Sequence, residues 1–327
     1  MNTPFTTKVG IRYPIICGAM FPCSNLELVA AVSEAGGIGI VQPVSLVYVF
    51  RQDLRESLRR IRSLTANPIG FNALVEKSSK TYEERMRRWV AIALEEGVKF
   101  FITALGNPRW VVDMVHSGGG IVFHDVTSGK WADKALAAGV DGLICVNRDA
   151  GGHAGERSAV ELYEELAGFG VPLVCAGGIG DGAGVAAALE LGYQAVQLGT
   201  RFIASEACTA HEDWKQAILN ARAEDIVLTR RITGVPVAVI NTPHVQALGT
   251  EAGPIARLML KNRRTRHWVR LFYALRSLRS LKKANLRGNA YREYYLAGKS
   301  AGCIESIQPV PEIMAELTAR LRLPGKG

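Results

Sequence analysis

The chain has 327 residues, of which 48% are hydrophobic and 21% are charged, and its formal net charge is +9. This composition is sufficient for a large core and excludes general disorder. Twelve of the 39 basic residues, and no acidic residue, lie in the segment 257–292, so the rest of the chain carries 27 basic and 30 acidic residues. The positive charge therefore belongs to one segment and does not mark the whole chain as a nucleic-acid-binding protein.

Targeting signals and metal motifs are not found in the sequence. The first twenty residues lack a basic region followed by a long apolar run, and no stretch of 18 apolar residues occurs. We therefore expect neither a secretory signal nor a membrane span. The six cysteines form no CxxC pair and have no zinc-like spacing. These features predict a cytoplasmic protein with reduced thiols and no bound metal.

Eight short apolar segments rich in Val, Ile and Phe alternate with longer segments of helical periodicity. The predicted strands are residues 14–17, 38–41, 69–74, 100–104, 120–126, 142–147, 172–176 and 195–198. The predicted helices between them include residues 26–35, 54–64, 82–96, 130–138, 159–167 and 183–191. Several of these helices end near glycine, as in EAGG, EEGV, AAGV and ELGY, which is typical of a left-handed residue that terminates a helix.

This alternation predicts an α/β fold in which residues 1–205 form a (β/α)8 TIM barrel. The alternative is an open doubly wound sheet, which normally has its glycine-rich turn after the first strand. Here the richest glycine turns follow the sixth, seventh and eighth strands. Residues 206–327 are too few for a second α/β domain. Helical patterns at 211–222, 271–281 and 311–321 predict a helical extension that packs at the barrel mouth, with its C-terminal segment returning to the barrel.

Two glycine-rich turns predict an anion site at one end of the barrel. The seventh strand leads into Gly177 and Gly178 in the run AGGIGDGAG, and the eighth strand leads into Gly199 and Thr200. Glycine lets backbone N–H groups approach an anion, and a helix N-terminus adds a favourable partial charge. The loops after strands seven and eight of such barrels commonly bind phosphate. We therefore predict a phosphate site here; the alternative is that these glycines only form tight turns.

The sixth strand is followed by NRDAGGHAG, which places His153 between glycines at the carboxyl end of a barrel strand. Barrel enzymes carry catalytic groups at this end, and imidazole donates a hydrogen bond or accepts a proton near neutral pH. We therefore predict that His153 is catalytic; the alternative is a loop histidine bound to a backbone carbonyl. Arg148 and Asp149 precede it and either pair with each other or orient the substrate.

The AGGHAG loop resembles the histidine motif of the nitronate monooxygenases, formerly called 2-nitropropane dioxygenases, and of related FMN-dependent enoyl reductases and NADH:quinone reductases. Four further segments of the chain also resemble that family. They are PIICGAM, GFNAL, CAGGIGDGAGVAAALELGYQAVQLGTRFIASEAC and YLAGKSAGCIESIQPVPEIMAEL. The resemblance implies non-covalent FMN, with His153 on the substrate side of the flavin. Beside the ring or ribityl chain it places Gly18, Ala19, Met20, Asn72, Ala150, Gly151 and Gly152. Around the phosphate it places Gly177, Gly178, Gly199 and Thr200.

One position departs from the family pattern. Some relatives carry His-Lys after the fifth strand, with the lysine near the flavin pyrimidine, whereas this chain has His124 and Asp125. Loss of a cation there disfavours a reduced, anionic flavin. The resemblance leaves open whether His124 supplies the polar contact to the cofactor or whether the alignment shifts by one residue.

The resemblance implies a monooxygenase that oxidises alkyl nitronates or nitroalkanes with O2 to carbonyl compounds and nitrite. The alternative is an NAD(P)H-dependent reductase of quinones or enoyl thioesters on the same FMN. A third interpretation, a nucleic-acid- or lipid-binding protein, rests on the basic segment 257–292, whose apolar residues also suit a helix packed on the barrel. We expect a small-molecule substrate and O2 as partners, with no nucleic acid; use of NAD(P)H and formation of a homodimer stay open.

Overall fold

A computed structural model describes residues 2–76, 80–232, 235–251 and 294–321. Eight parallel strands form a closed barrel in sequence order, and the last strand pairs with the first, with Ile16 opposite Gln197. The strands are β1 Ile15–Cys17, β2 Ile38–Val41, β3 Gly70–Val75, β4 Phe100–Leu105, β5 Ile121–Val126, β6 Gly142–Val146, β7 Leu173–Ala176 and β8 Ala195–Leu198. The structure confirms the predicted (β/α)8 barrel and excludes the open sheet, and each predicted strand ends within one residue of the observed one.

Eight helices precede, separate or follow these strands. They are α1 Pro4–Val9, α2 Leu26–Glu34, α3 Leu54–Leu64, α4 Lys80–Glu95, α5 Arg109–Ser117, α6 Gly129–Ala137, α7 Ala159–Leu166 and α8 Gly182–Leu191. The glycines that follow α2, α4, α6 and α8 have positive φ angles, between 81° and 117°, at Gly36, Gly97, Gly139 and Gly192. This left-handed conformation, which side chains disfavour, lets each helix end and the chain turn into the next strand.

The barrel interior is filled by side chains that alternate along the strands with those of the outer face. Pointing inward and buried are Ile16, Ile38, Ile40, Phe100, Ile102, Phe123, Ile144, Val174 and Ala195. Phe5 of α1 closes the amino end of the barrel, where its ring lies 5.7 Å from that of Phe100 and 5.5 Å from that of Phe123. Outward residues such as Phe71, Phe101 and Leu143 pack against the helices. Full burial of each such side chain contributes about 1.5–3 kcal/mol.

Residues after the barrel form helices and one small sheet. The elements are α9 Thr200–Ile203, α10 Glu212–Asn220, β9 Ile226–Thr229, β10 Val237–Ile240, α11 Pro243–Leu248, a 3₁₀ turn Lys299–Cys303 and α12 Val310–Thr318. The antiparallel pair of β9 and β10 was not predicted from the sequence. The C-terminal helix α12 returns to pack on α2 and α8. The predicted helix at 271–281 and the basic segment 257–292 lie outside the described residues, and within the described ranges no helix is both long and apolar enough to cross a bilayer.

Candidate active site at the carboxyl end of the barrel

The barrel interior opens near the carboxyl ends of its strands. In the middle layers the inward side chains are buried, but the last inward residues of several strands keep part of their surface accessible, among them Ala104, Asp125, Val146 and Gln197. Their inward direction follows from alternation with Ile102, Phe123, Ile144 and Ala195. These four residues define the floor of a pocket, which lies at the end where barrel enzymes bind their ligands.

The pocket floor carries polar groups that lack a protein partner. Within the described ranges, Asp125 Oδ1 and Gln197 Oε1 are buried and make no hydrogen bond. Asn72 of β3 also points inward, since it alternates with Phe71 of the outer face, and it is 5% exposed. A buried polar group without a partner costs about 1–3 kcal/mol. These side chains in an otherwise apolar interior therefore indicate a polar ligand above the floor.

Gln197 was not among the site residues predicted from the sequence. The available signal was a single amide in the apolar strand sequence AVQL, but only the barrel geometry shows that this amide faces the interior. A Cβ atom on Gly18 would lie 3.0 Å from the Gln197 side chain, so β1 and β8 approach closely at this level. Ala19 packs on the interior cluster, and Met20 lies beside Gly199, 3.4 Å from where a Cβ would stand. The structure thus brings the predicted first-strand residues to the pocket.

The predicted phosphate glycines also meet at this end. Gly177 and Gly178 have φ angles of 121° and 77°, and a Cβ on Gly177 would lie 2.6 Å from the backbone N of Ala150. Thr200 is buried, and its Oγ1 accepts a hydrogen bond from the backbone N–H of Gly298 at 3.0 Å. The hydroxyl proton of Thr200 therefore stays available for an anion. Because Gly177 leaves no room for a side chain, the backbone itself forms this wall of the pocket.

Asn147 organises the histidine loop that follows β6. Its buried side chain donates from Nδ2 to the Gly177 carbonyl at 3.0 Å, and its Oδ1 accepts from the Asp149 N–H at 2.9 Å. Its carbonyl also accepts from the Gly155 N–H at 3.2 Å. This residue was not predicted from the sequence, because an Asn between a strand and a glycine loop is common. It links the histidine loop to the phosphate glycines.

The extension holds the other side of the same loop. The N–H of Ala238 in β10 donates to the carbonyl of Gly152 at 2.7 Å, and the N–H of Lys299 donates to that of Asp149 at 3.0 Å. Lys299 Nζ also lies 2.8 Å from Asp149 Oδ1. Ala150 is buried, and the backbone of Gly151 is close enough to Gly298 that a Cβ on Gly151 would lie 2.9 Å from its N. The loop is therefore clamped between the barrel and the returning segment.

Arg148 and Asp149 do not pair with each other. Arg148 Nη1 lies 3.7 Å from Glu161 Oε2, in a partly solvated ion pair, while Asp149 pairs with Lys299. The sequence left open whether these two residues pair with each other or orient the substrate, and the structure excludes the pairing. Asp149 instead links the histidine loop to the extension through Lys299.

His153 lies on the glycine loop after β6, at the carboxyl end of the barrel. The residue is solvent-exposed, yet the protein around the ring partly desolvates it, and this desolvation lowers the pKa of the imidazole below its ordinary value of 6.5. The imidazole is therefore neutral at pH 7, the form that accepts a proton. The catalytic role of His153 stays a prediction.

His124 faces away from the pocket, which corrects the prediction that it contacts the cofactor. It lies on the outer face of β5, where its Nδ1 is 2.8 Å from Thr103 Oγ1, and burial lowers the pKa of its imidazole to about 4. The inward position is that of Asp125, because neighbouring residues of a strand point to opposite faces. Asp125, and not His124, therefore lies at the pocket floor.

A family model described as nitronate monooxygenase matches residues 2–320. The chain belongs to the nitronate monooxygenase family. A probable nitronate monooxygenase of Staphylococcus haemolyticus is 29% identical over 81% of this chain and 85% of its own length. The enzyme (3aS,4S,5R,7aS)-5-hydroxy-7a-methyl-1-oxo-octahydro-1H-indene-4-carboxyl-CoA dehydrogenase of Mycobacterium tuberculosis is 26% identical over 97% of this chain and 95% of its own.

Solved structures of family-like enzymes have the same fold. FabK from Thermotoga maritima is 31% identical, with a TM-score of 0.81, over 98% of this chain and 96% of its own. A nitroalkane oxidase from Streptomyces ansochromogenes, at 22% identity and a TM-score of 0.75 over 97% of both chains, shares the fold. Membership of the nitronate monooxygenase family confirms the predicted class of oxidoreductase.

The pocket of this nitronate monooxygenase family member has features that suit a flavin nucleotide. Among the described residues, no cluster of three or more His, Cys, Asp or Glu could hold a metal. The floor instead offers the unpaired atoms Asp125 Oδ1 and Gln197 Oε1 to the polar edge of a ring. The wall offers glycine backbone at Gly177 and Gly199 to a phosphate. These are the two features that a flavin nucleotide requires.

Proposed function

We propose that the protein is an FMN-dependent nitronate monooxygenase, which oxidises nitroalkanes and their nitronates with O2 to carbonyl compounds and nitrite. The observation that carries this proposal is that His153, whose pKa is lowered by desolvation, follows β6 at the same end of the barrel as the floor with its unpaired polar atoms. Membership of the family and the similarity to probable nitronate monooxygenases support it.

The residues proposed to hold FMN divide by the part of the cofactor they suit. Gly18, Ala19 and Met20 would form one wall beside the ring, and Asn72 would offer its amide at the floor. Gly177, Gly178, Gly199 and Thr200 would bind the phosphate through backbone N–H groups and the Thr200 hydroxyl. Their closely packed backbone excludes larger side chains from that wall. When bound, FMN would supply the electron-transfer chemistry between the substrate and O2.

His153 acts as the general base in this proposal. A neutral nitroalkane is a carbon acid, because the nitro group delocalises the electron pair left when the neighbouring C–H bond breaks. A nitrogen of the neutral His153 imidazole takes that proton, and the electron pair stays on the substrate as the nitronate anion. The lowered pKa of His153 keeps the base available at neutral pH. For a preformed nitronate, His153 only orients the anion by a hydrogen bond.

A second candidate is a flavin enzyme that acts on an acyl thioester. It is favoured by the carboxyl-CoA dehydrogenase matched over 97% of this chain and by the 31% identity to FabK. The proton next to a thioester carbonyl is also acidic, so His153 would act as a base in the same way. Anaerobic mixing separates the candidates: a nitronate should bleach the flavin in the first case, and an acyl-CoA or NADH in the second.

The substitution His153→Asn tests the proposal. General-base catalysis typically contributes about 10²- to 10⁴-fold, so we expect kcat/KM for a neutral nitroalkane to fall by about that factor. Oxidation of the preformed nitronate should fall by less than about tenfold, since its proton has already left. His116→Asn is the matched control, because His116 is an exposed histidine at the end of α5 that pairs with Asp141 at 2.8 Å. Unchanged turnover of the neutral nitroalkane in His153→Asn would refute the proposal that His153 is the general base.

A further inference from the structure

Asp125 is a carboxyl group in an unusual position for this fold. It is the last inward residue of β5, above the ring of Phe123, and its Oδ1 is buried without a hydrogen-bond partner among the described residues. The residue as a whole keeps some accessible surface, which faces the pocket. In apolar surroundings a carboxylate is strongly disfavoured unless a cation or several donors compensate it.

No such compensation is found around Asp125 in the described part of the chain. Burial alone raises the pKa of its carboxyl to about 7. From β6, the titratable group that interacts with it is the Cys145 thiol, whose own pKa is raised far above neutrality by burial, so that it stays uncharged. From β4, the neighbours are Ala104 and the neutral Thr103. His124, next to it in the chain, is turned to the outer face and bonded to Thr103.

A neutral carboxylic acid differs from a carboxylate in what it offers a ligand. The carboxylate only accepts hydrogen bonds, whereas the acid has one O–H that donates. A flavin ring presents two carbonyl oxygens and two ring nitrogens as acceptors along its polar edge, and one N–H as a donor. A protonated Asp125 can therefore donate to one of those acceptors, which a carboxylate cannot do. A buried acid kept neutral in order to donate is a known device of enzyme sites.

We propose that Asp125 donates a hydrogen bond to the bound flavin ring as a neutral carboxylic acid and thereby couples reduction of the cofactor to the uptake of one additional proton. This inference rests on the proposed flavin but not on the identity of the substrate. It gives this chain a cofactor whose reduction potential depends on the protonation of Asp125.

The coupling follows from electrostatics. Two electrons that enter the ring add negative charge next to Asp125, and a nearby negative charge raises the pKa of a carboxyl group further. Between the lower pKa, with oxidised flavin, and the higher pKa, with reduced flavin, the carboxylate takes one proton from water each time two electrons arrive. Outside that interval the protonation of Asp125 does not change, so no additional proton is taken up.

The test measures the midpoint potential of the bound flavin between about pH 6 and about pH 9 in the absence of substrate. Asp125→Asn keeps the size and a donor but cannot titrate, and Asp113→Asn, on the exposed face of α5, is the matched control. Over part of the range, the wild type and Asp113→Asn should take up about one more proton per two electrons than Asp125→Asn at the same pH, so their potentials should fall more steeply with pH. In Asp125→Asn the slope should report only the protons that the flavin itself takes up. Equal slopes in all three proteins would refute the coupling.

The affinity for riboflavin provides a second measurement, which holds even if Asp125→Asn does not fold. Riboflavin has no phosphate, so ionisation of a phosphate cannot contribute. Its Kd for the wild-type apoprotein should rise with pH above neutrality, by at most about tenfold per pH unit, because the protonated acid binds the ring more tightly than the carboxylate does. A Kd for riboflavin that is independent of pH would refute the role of Asp125 without refuting the proposed flavin. Failure to bind riboflavin or FMN at every pH would refute the flavin proposal and this inference together.

Discussion

Gly298→Ala should loosen the returning segment from the histidine loop. The new Cβ would lie 2.7 Å from Gly151 N, 2.8 Å from Asp149 O and 3.1 Å from Ala150 C, and all three are backbone atoms that cannot rotate away. The φ of Gly298 is −96°, so alanine adopts the backbone conformation without strain and the effect is purely steric. The N–H of Gly298 also donates to Thr200 Oγ1, a bond that any displacement weakens.

Overpacking of this kind costs about 1–3 kcal/mol, which corresponds to a factor of about 5 to 150 in the docked population of the segment. Because the proposed phosphate and ring contacts need a docked loop, the Kd for FMN should rise by up to that factor. Fluorescence titration of the apoprotein with FMN measures this change. Gly168→Ala is the control, since nothing lies within 4 Å of its new Cβ. An unchanged Kd in Gly298→Ala would refute the clamp formed by the returning segment.

Two further predictions concern charge. His124→Gln should reduce the acid sensitivity of folding: the pKa of His124 is about 4 in the folded state against 6.5 in the unfolded chain. Between pH 6.5 and pH 4 the free energy of unfolding of the wild type should therefore fall by about 3 kcal/mol more than that of the variant. Urea unfolding at both pH values measures this difference, and an equal fall in both proteins would contradict the prediction. Lys299→Met removes a partly exposed ion pair with Asp149 and should cost less than about 1 kcal/mol, so the Kd for FMN should rise by less than about fivefold, less than in Gly298→Ala. A rise as large as that of Gly298→Ala would show that charge, and not packing, holds the segment.

The barrel could be predicted from the sequence because its signals are local. Each strand is a short apolar run, and each of several helices ends at a glycine, so eight strands appeared at nearly their observed bounds. The strands β9 and β10 were not predicted, although IVLT and VAVI are as short as the barrel strands. They pair only with each other, outside the repeating alternation of strands and helices. A pair of four-residue strands has no periodic signal to distinguish it from a loop.

The candidate site was predictable only in part. Its glycines and His153 could be predicted because they form a recognisable glycine-rich sequence pattern. Asn147, Gln197 and Gly298 could not, because they act through contacts between segments far apart in the chain. The choice between His124 and Asp125 could not be made from the sequence, because strands of a parallel barrel are apolar on both faces and show no alternation to count.

The central claim is that a flavin at the carboxyl end of this barrel oxidises nitronates. Its most direct test is the visible spectrum of the FMN-loaded protein mixed anaerobically with a small alkyl nitronate. The flavin should bleach, and admission of O2 should restore the yellow colour and release nitrite, while NADH alone should leave the spectrum unchanged. A flavin that NADH bleaches rapidly and that a nitronate leaves yellow would contradict the claim.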